Sequence, residues 1–203
     1  MSLEIFIARH GQDEDNAKGI LNGHRDMPLT DIGRRQAKQL AEGIKNAGLG
    51  IDSIFTSPLA RATETAQIVA DEIGVQPPEV MEELIERNFG IMTGKKVSEV
   101  EPLCAPNIIK TNTITYFLDP EGSETFPQLI ERGEKVLKKL GRLSVGTRVL
   151  LVCHGDIGKM IYCAQTGEDW RDVLTDFHFG NGELIDISGD GTVQMIQLKQ
   201  YNH

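Results

Sequence analysis

The sequence predicts an α/β fold: a three-layer sandwich with a mostly parallel central sheet and helices on both faces. Three observations carry this. Leu3–Ala8 and Val149–Cys153 are short, continuous apolar runs of the kind a strand buried on both faces requires. Strand-like and helix-like stretches alternate along the chain, which implies parallel strands joined by covering helices. Each apolar run also stops at a His-Gly pair, His10-Gly11 and His154-Gly155, at the carboxyl strand ends where open α/β sheets bind ligands.

The elements follow in order. After the first strand, Thr30 is placed to cap a helix with Ala37, Leu40, Ala41 and Ile44 on its apolar face and Gly48 at its end. A strand at Ser53–Thr56 comes next. A second helix carries Ala62, Ala66, Val69 and Ile73 on one side and ends at Gly74, before Pro77-Pro78. Glu124–Leu140 reads as a helix interrupted early by Pro127, followed by the 149–153 strand and a helix over Ile157–Ala164. Finally Leu184–Ile187 and Val193–Leu198 flank Gly189-Asp190-Gly191, a hairpin signal. The least regular segment, Lys95–Glu121, where Pro, Asn and Thr interrupt apolar residues, is expected to be an insertion or lid.

Composition bounds the rest. At 203 residues, with 39% hydrophobic and 25% charged residues, the chain is expected to form one domain, 1–203. No run approaches the ~18 apolar residues of a bilayer span, and the start lacks a basic stretch leading into an apolar one, so no membrane association and a cytoplasmic location are expected. Cys104, Cys153 and Cys163 show no metal-ligand spacing, so no metal is expected. The net charge of −9 opposes nucleic-acid binding and requires any anionic ligand to find a local cationic pocket. The oligomeric state is left open.

The strand ends supply such a pocket. Arg9 and His10 follow the first strand, Ser57-Pro58 leads to Arg61 after the second, and His154 follows the long buried strand. Any one of these alone is more often a surface or capping group than a catalyst. Together, two guanidiniums suit bidentate grip of a phosphate, and two imidazoles suit a nucleophile and a donor.

These residues carry a resemblance to the histidine phosphatase superfamily, also called phosphoglycerate mutase-like. Its opening motif is met by Arg9-His10-Gly11 with Asn16, and its GxxDxPLTxxGxxQA stretch by Gly23, Asp26, Pro28, Leu29, Thr30, Gly33, Gln36 and Ala37. SPLxRAxxTA is met by Ser57 to Ala66, LxExxxG by Leu84, Glu86 and Gly90, and the second His-Gly by His154-Gly155. Gly122-Ser123-Glu124 and Asn181 also fit family positions.

The resemblance implies hydrolysis of a small organic phosphate, the one partner expected, with no metal or other cofactor. His10 would attack phosphorus to give a phosphohistidine. Arg9, Arg61 and His154 would hold the phosphoryl oxygens, and Glu86 would protonate the leaving oxygen. Flanking guanidiniums should lower the His10 pKa, and burial beside Phe89 should raise that of Glu86. Asn16, Asn22, Gly23 and Gly155 are the candidate substrate contacts; Asn16, Asn22 and His24 serve equally to satisfy turn backbone. The sequence departs from the family at Asp13, where Thr or Ser is usual, and at Thr93, where Glu is usual. A carboxylate at 13 must point outward or pair with a cation to coexist with a phosphate. No Arg lies between Arg87 and Arg132, so the paired arginines of the mutases are missing and a phosphatase with a less anionic leaving group than phosphoglycerate is favoured. A mutase-type phosphotransferase and a non-catalytic phosphate-binding protein are the alternatives. A P-loop is excluded, because Gly90 to Lys95 lacks both the spacing and the following Ser or Thr.

Overall fold

In the computed structural model, which describes residues 3–176, 178–188 and 194–196, a six-stranded sheet lies between two helical layers. In chain order the elements are β1 (Glu4–Arg9), α1 (Glu14–Lys18), α2 (Asp31–Asn46), β2 (Ser53–Thr56), α3 (Ala60–Ile73) and β3 (Glu79–Val80). There follow α4 (Val100–Cys104), β4 (Ile108–Lys110), β5 (Thr115–Phe117), α5 (Phe126–Leu140), β6 (Arg148–Cys153), α6 (Gly155–Thr166), α7 (Trp170–Asp176), β7 (Leu184–Asp186) and β8 (Gln194–Ile196).

The strand order is β3-β2-β6-β1-β7-β8. The first four strands are mutually parallel, while β7 and β8 add antiparallel. Alternation along the strands splits the core between two layers. Ile5, Ile7, Val149 and Leu151 pack with α5, α6 and α7, whereas Phe6, Ala8, Leu150 and Val152 pack with α2 and α3. This double burial is why β1 and β6 read as continuous apolar runs.

Several elements start and stop where their side chains dictate. Thr30 Oγ1 accepts from Gly33 N at the start of α2, and Gly74 closes α3 at φ 77°. Pro127 does not interrupt α5. It occupies the first turn, where its missing N–H costs nothing, behind a capping box in which Thr125 and Gln128 satisfy each other's backbone N–H. Helix α6 begins two residues earlier than its apolar pattern suggested, directly at Gly155. The short α1, α7 and β3 carry no sequence signal strong enough to have been read. The strands of the C-terminal hairpin pair antiparallel, while its Gly189-Asp190-Gly191 turn lies outside the described residues.

Between Lys95 and Glu121 the chain forms a 3-10 turn, α4 and the β4–β5 ribbon. This segment is anchored by Val100 and Phe117, which join Phe89 and Met92 in a separate small core.

Candidate active site

The loop after β1 is fixed by the face of α2 that the Thr30, Gly33, Gln36 spacing creates. Thr30 N donates to Gln12 O (3.0 Å), and Gln12 N donates to Gln36 Oε1 (2.7 Å). Gly33 and Gly11 let the two backbones touch, since a Cβ at either would fall within 2.3 Å of a carbonyl oxygen. From α3, Thr65 Oγ1 accepts from Gly11 N (3.1 Å), and Asp26 Oδ1 caps that helix through Ala60 N (2.6 Å).

This scaffold presents His10 beside His154. Arg9 pairs with Cys153 in the β1–β6 register, so the two imidazoles extend from neighbouring strand ends, ring centroids 4.9 Å apart. Gly11 O lies 2.6 Å from His10 Nδ1 and can only accept, so Nδ1 carries the proton and Nε2 keeps its lone pair. Arg61 Nε lies 3.2 Å from both His10 Nε2 and His154 Nδ1, and His154 Nε2 donates to Ser57 Oγ at 2.7 Å. Burial, ahead of the Arg61 guanidinium, holds both imidazoles well below the usual histidine range. For His10 this direction was expected, but desolvation leads the guanidiniums as its cause.

Arg61 departs from its expected role. Its terminal nitrogens donate to Arg25 O (2.7 Å) and Gly23 O (2.8 Å), and the side chain is fully buried. It braces the histidines here and does not fork toward a phosphate. Gly23 likewise serves Arg61 through its carbonyl and does not line the cavity.

Asp13 resolves the departure from the family pattern. It is buried, caps α1 through Asn16 N (2.8 Å), accepts from Asn22 Nδ2 (2.6 Å), and lies 3.3 Å from Arg61 Nε. It pairs with a cation, and burial still pushes its carboxyl above the usual range.

Beside His10 lies a cavity of about 350 Å³; His154, like Arg61 and Asp13, is buried next to it and is not among the residues that line it. Arg9, His10, Asn16, Asn22, Glu86, Gly155 and Asn181 line one part; Leu21, Phe89, Ile114, Phe117 and Phe179 give the rest an apolar wall. Arg9 donates to Phe179 O (2.8 Å), and its buried Nε has no hydrogen-bond partner among the described residues. Its guanidinium also passes within 3.7 Å of where a Cβ on Gly155 would stand, at the start of α6.

Glu86 is buried, and its oxygens accept from the N–H groups of Arg87 (2.8 Å), Ile157 (3.2 Å) and Asp156 (3.4 Å). These bonds favour the carboxylate, but burial and then Asp156 outweigh them and raise its pKa. Its backbone is held from outside: Arg132 donates to Glu83 O, Ile85 O and Glu86 O while forking onto both oxygens of Glu124 (2.6 and 3.0 Å). His24 satisfies backbone, through Glu86 O at 2.7 Å.

Asp156, Arg87 and Lys159 also line the cavity, and sequence reasoning missed them; Tyr116, in the segment expected to be a lid, lines it beside them. Arg87 Nε donates to Asp156 (2.8 Å) with its guanidinium carbon 4.3 Å from the Phe117 ring centroid. A signal existed for Lys159: it stands four residues after Gly155 inside the otherwise apolar Ile157–Ile161 stretch. Among the described residues no group of three or more His, Cys, Asp or Glu side chains is arranged to hold a metal ion, and no helix is long and apolar enough to cross a membrane.

The family model of the histidine phosphatase superfamily (branch 1) matches residues 5–201. The chain belongs to this superfamily. It is 33% identical over 156 residues to a 2,3-bisphosphoglycerate-dependent phosphoglycerate mutase from Parvibaculum lavamentivorans, covering 75% of this chain and 74% of that protein. Among solved structures, a mycobacterial glucosyl-3-phosphoglycerate phosphatase in complex with VO3 superposes with a TM-score of 0.77 at 22% identity, covering 90% of this chain and 91% of that one. A phosphoserine phosphatase from Entamoeba histolytica, in complex with 3-phosphoglyceric acid, gives 0.72 at 24% identity over 91% of this chain and 89% of that one. These two share the fold of this chain.

Proposed function

We propose that this histidine phosphatase hydrolyses a small organic phosphomonoester through a covalent phosphohistidine on His10. The observation that carries the reading is the His10 tautomer. With Nδ1–H bound to Gly11 O, Nε2 is the ring nitrogen without a proton; its lone pair meets Arg61 Nε–H at 3.2 Å, a contact it exchanges for phosphorus as it attacks, and the low pKa keeps it unprotonated at neutral pH.

Arg9 Nε is the donor best placed to meet a phosphoryl oxygen, beside the N-terminus of α6, whose dipole favours an anion. Arg61 Nε orients the nucleophile through His10 Nε2 and His154 through its Nδ1, and Asn16, Asn22 and Gly155 shape the surrounding wall. As the Nε2–P bond forms and the ester P–O bond breaks, the leaving oxygen takes the proton of Glu86. The resulting carboxylate then accepts a proton from the water that cleaves the phosphohistidine.

Hydrolysis is favoured over phosphate transfer because the 95–121 segment, which acts as a lid, offers the cavity Val97, Thr113, Ile114, Thr115, Tyr116 and Phe117, while Lys95, Lys96 and Lys110 do not line it. The mutase names of the curated relatives favour the other reading, so the test sets the two against each other. A phosphate-release assay on an aryl phosphate and a panel of small phosphomonoesters, run beside a phosphoglycerate mutase assay, should give hydrolysis by the wild type and none by His10→Ala. Mutase turnover exceeding hydrolysis, or binding without turnover, would overturn the proposal.

A further inference from the structure

Helix α6 carries two different groups into the cavity. Gly155 opens it next to Arg9, and Lys159 follows four residues later on the same face, about 6 Å further along the axis at 1.5 Å per residue. That advance is on the scale of a small organic phosphate.

Lys159 is buried, yet its Nζ is directed by the hydroxyl of Tyr116 (2.7 Å), a residue of the β4–β5 ribbon, and lies 5.1 Å from that ring's centroid. Asp156, on the same helix, is engaged by Arg87 at 2.8 Å. The neighbouring wall of Ile114, Phe117 and Phe179 is apolar, so an anion entering there is costly unless a cation meets it.

We propose that Lys159, oriented by Tyr116, is a specificity-determining residue that receives an anionic oxygen on the leaving group of the phosphomonoester. This rests on the phosphatase reading and revises one expectation from sequence, that the leaving group is less anionic than phosphoglycerate: the 95–121 segment supplies no lysine to the cavity, but α6 does. Burial pulls the Lys159 ammonium down to about 8, against the attraction of Asp156, so it is still mostly charged at neutral pH.

The test compares kcat/KM for 4-carboxyphenyl phosphate with that for its neutral near-isostere, 4-carbamoylphenyl phosphate. The wild type should favour the carboxylate. Lys159→Met should lower the ratio tenfold or more, chiefly through KM for the carboxylated ester. Tyr116→Phe should lower it less, and Lys159→Arg should retain a preference for the charged ester. Equal losses on both esters in Lys159→Met, or no wild-type preference, would overturn the inference while leaving the phosphatase intact. Hydrolysis of neither ester by the wild type would overturn both. Circular dichroism of each variant checks folding, and a misfolded Lys159→Met leaves the Tyr116→Phe and Lys159→Arg ratios to decide: an unchanged ratio in the first or a lost preference in the second overturns the inference.

Discussion

Asp13 and Arg61 form an ion pair at 3.3 Å with neither side chain exposed to solvent, and the same guanidinium nitrogen lies 3.2 Å from both imidazoles. The charge beside His10 and His154 is therefore itself balanced within the fold.

Asp13→Ser separates charge from capping, because Ser retains the α1 N-cap while the carboxylate is lost. Removing one partner of a buried pair should cost about 3 kcal/mol. For a chain of this size that is roughly 6–12 °C in Tm. Thermal unfolding with and without inorganic phosphate checks this. The variant should recover more Tm on adding phosphate than the wild type, and an unchanged Tm would refute the pairing role.

Both imidazoles are held below, and Glu86 above, their ordinary ranges. The hydrolysis profile against pH should therefore be a bell whose acid limb lies below the ordinary histidine pKa and whose base limb lies above the ordinary carboxylate pKa. Stability follows opposite signs. As pH falls below about 6.5 the unfolded chain binds protons that buried His10 and His154 refuse, so they make folding less favourable in acid. Glu86 binds its proton more tightly when folded, so its contribution is present in acid and lost as pH rises through its raised pKa. Glu86→Gln should remove the base limb and cost about 10²–10⁴ in kcat on alkyl phosphates. The loss should be far smaller for 4-nitrophenyl phosphate, which needs no proton on its leaving oxygen; equal losses on both would remove Glu86 from the acid role.

Arg132 never reaches the cavity, but it binds three carbonyls of the 83–86 segment and both oxygens of Glu124. Lys cannot reproduce that fork. Arg132→Lys should lower kcat by about tenfold, a misplacement effect, with little change in KM. It should also shift the base limb of the pH profile, which a merely structural role would not do.

At Gly33 a Cβ would stand 2.1 Å from Gln12 O. Gly33→Ala should therefore push the His10 loop off α2, costing about 1–3 kcal/mol as an overpacking change and lowering kcat. Chemical denaturation together with steady-state kinetics tests both parts.

Much of this was legible in the sequence because the same residues that build the fold also build the site. The apolar runs end at His10 and His154 because parallel strands buried on both faces must stop where polar groups begin. The Thr30, Gly33, Gln36 spacing is one helix face, and it grips the Gln12 loop. What escaped reading depends on contacts distant in sequence. Arg61 has the right spacing for the site, but nothing local reveals that Gly23 and Arg25 occupy its terminal nitrogens. Arg87 reads as one charge in an acidic stretch until Phe89, Phe117 and Phe126 enclose it. Pro127 misleads because proline breaks a helix interior but is at home in a first turn.

The two histidines each follow the last rung, Arg9–Cys153, of one hydrogen-bonded ladder, so their separation is set by the interstrand distance. The opposite wall hangs on a two-stranded ribbon that joins none of those rungs. A rebuilt ribbon would thus reshape that wall while leaving the spacing of the two imidazoles as it is.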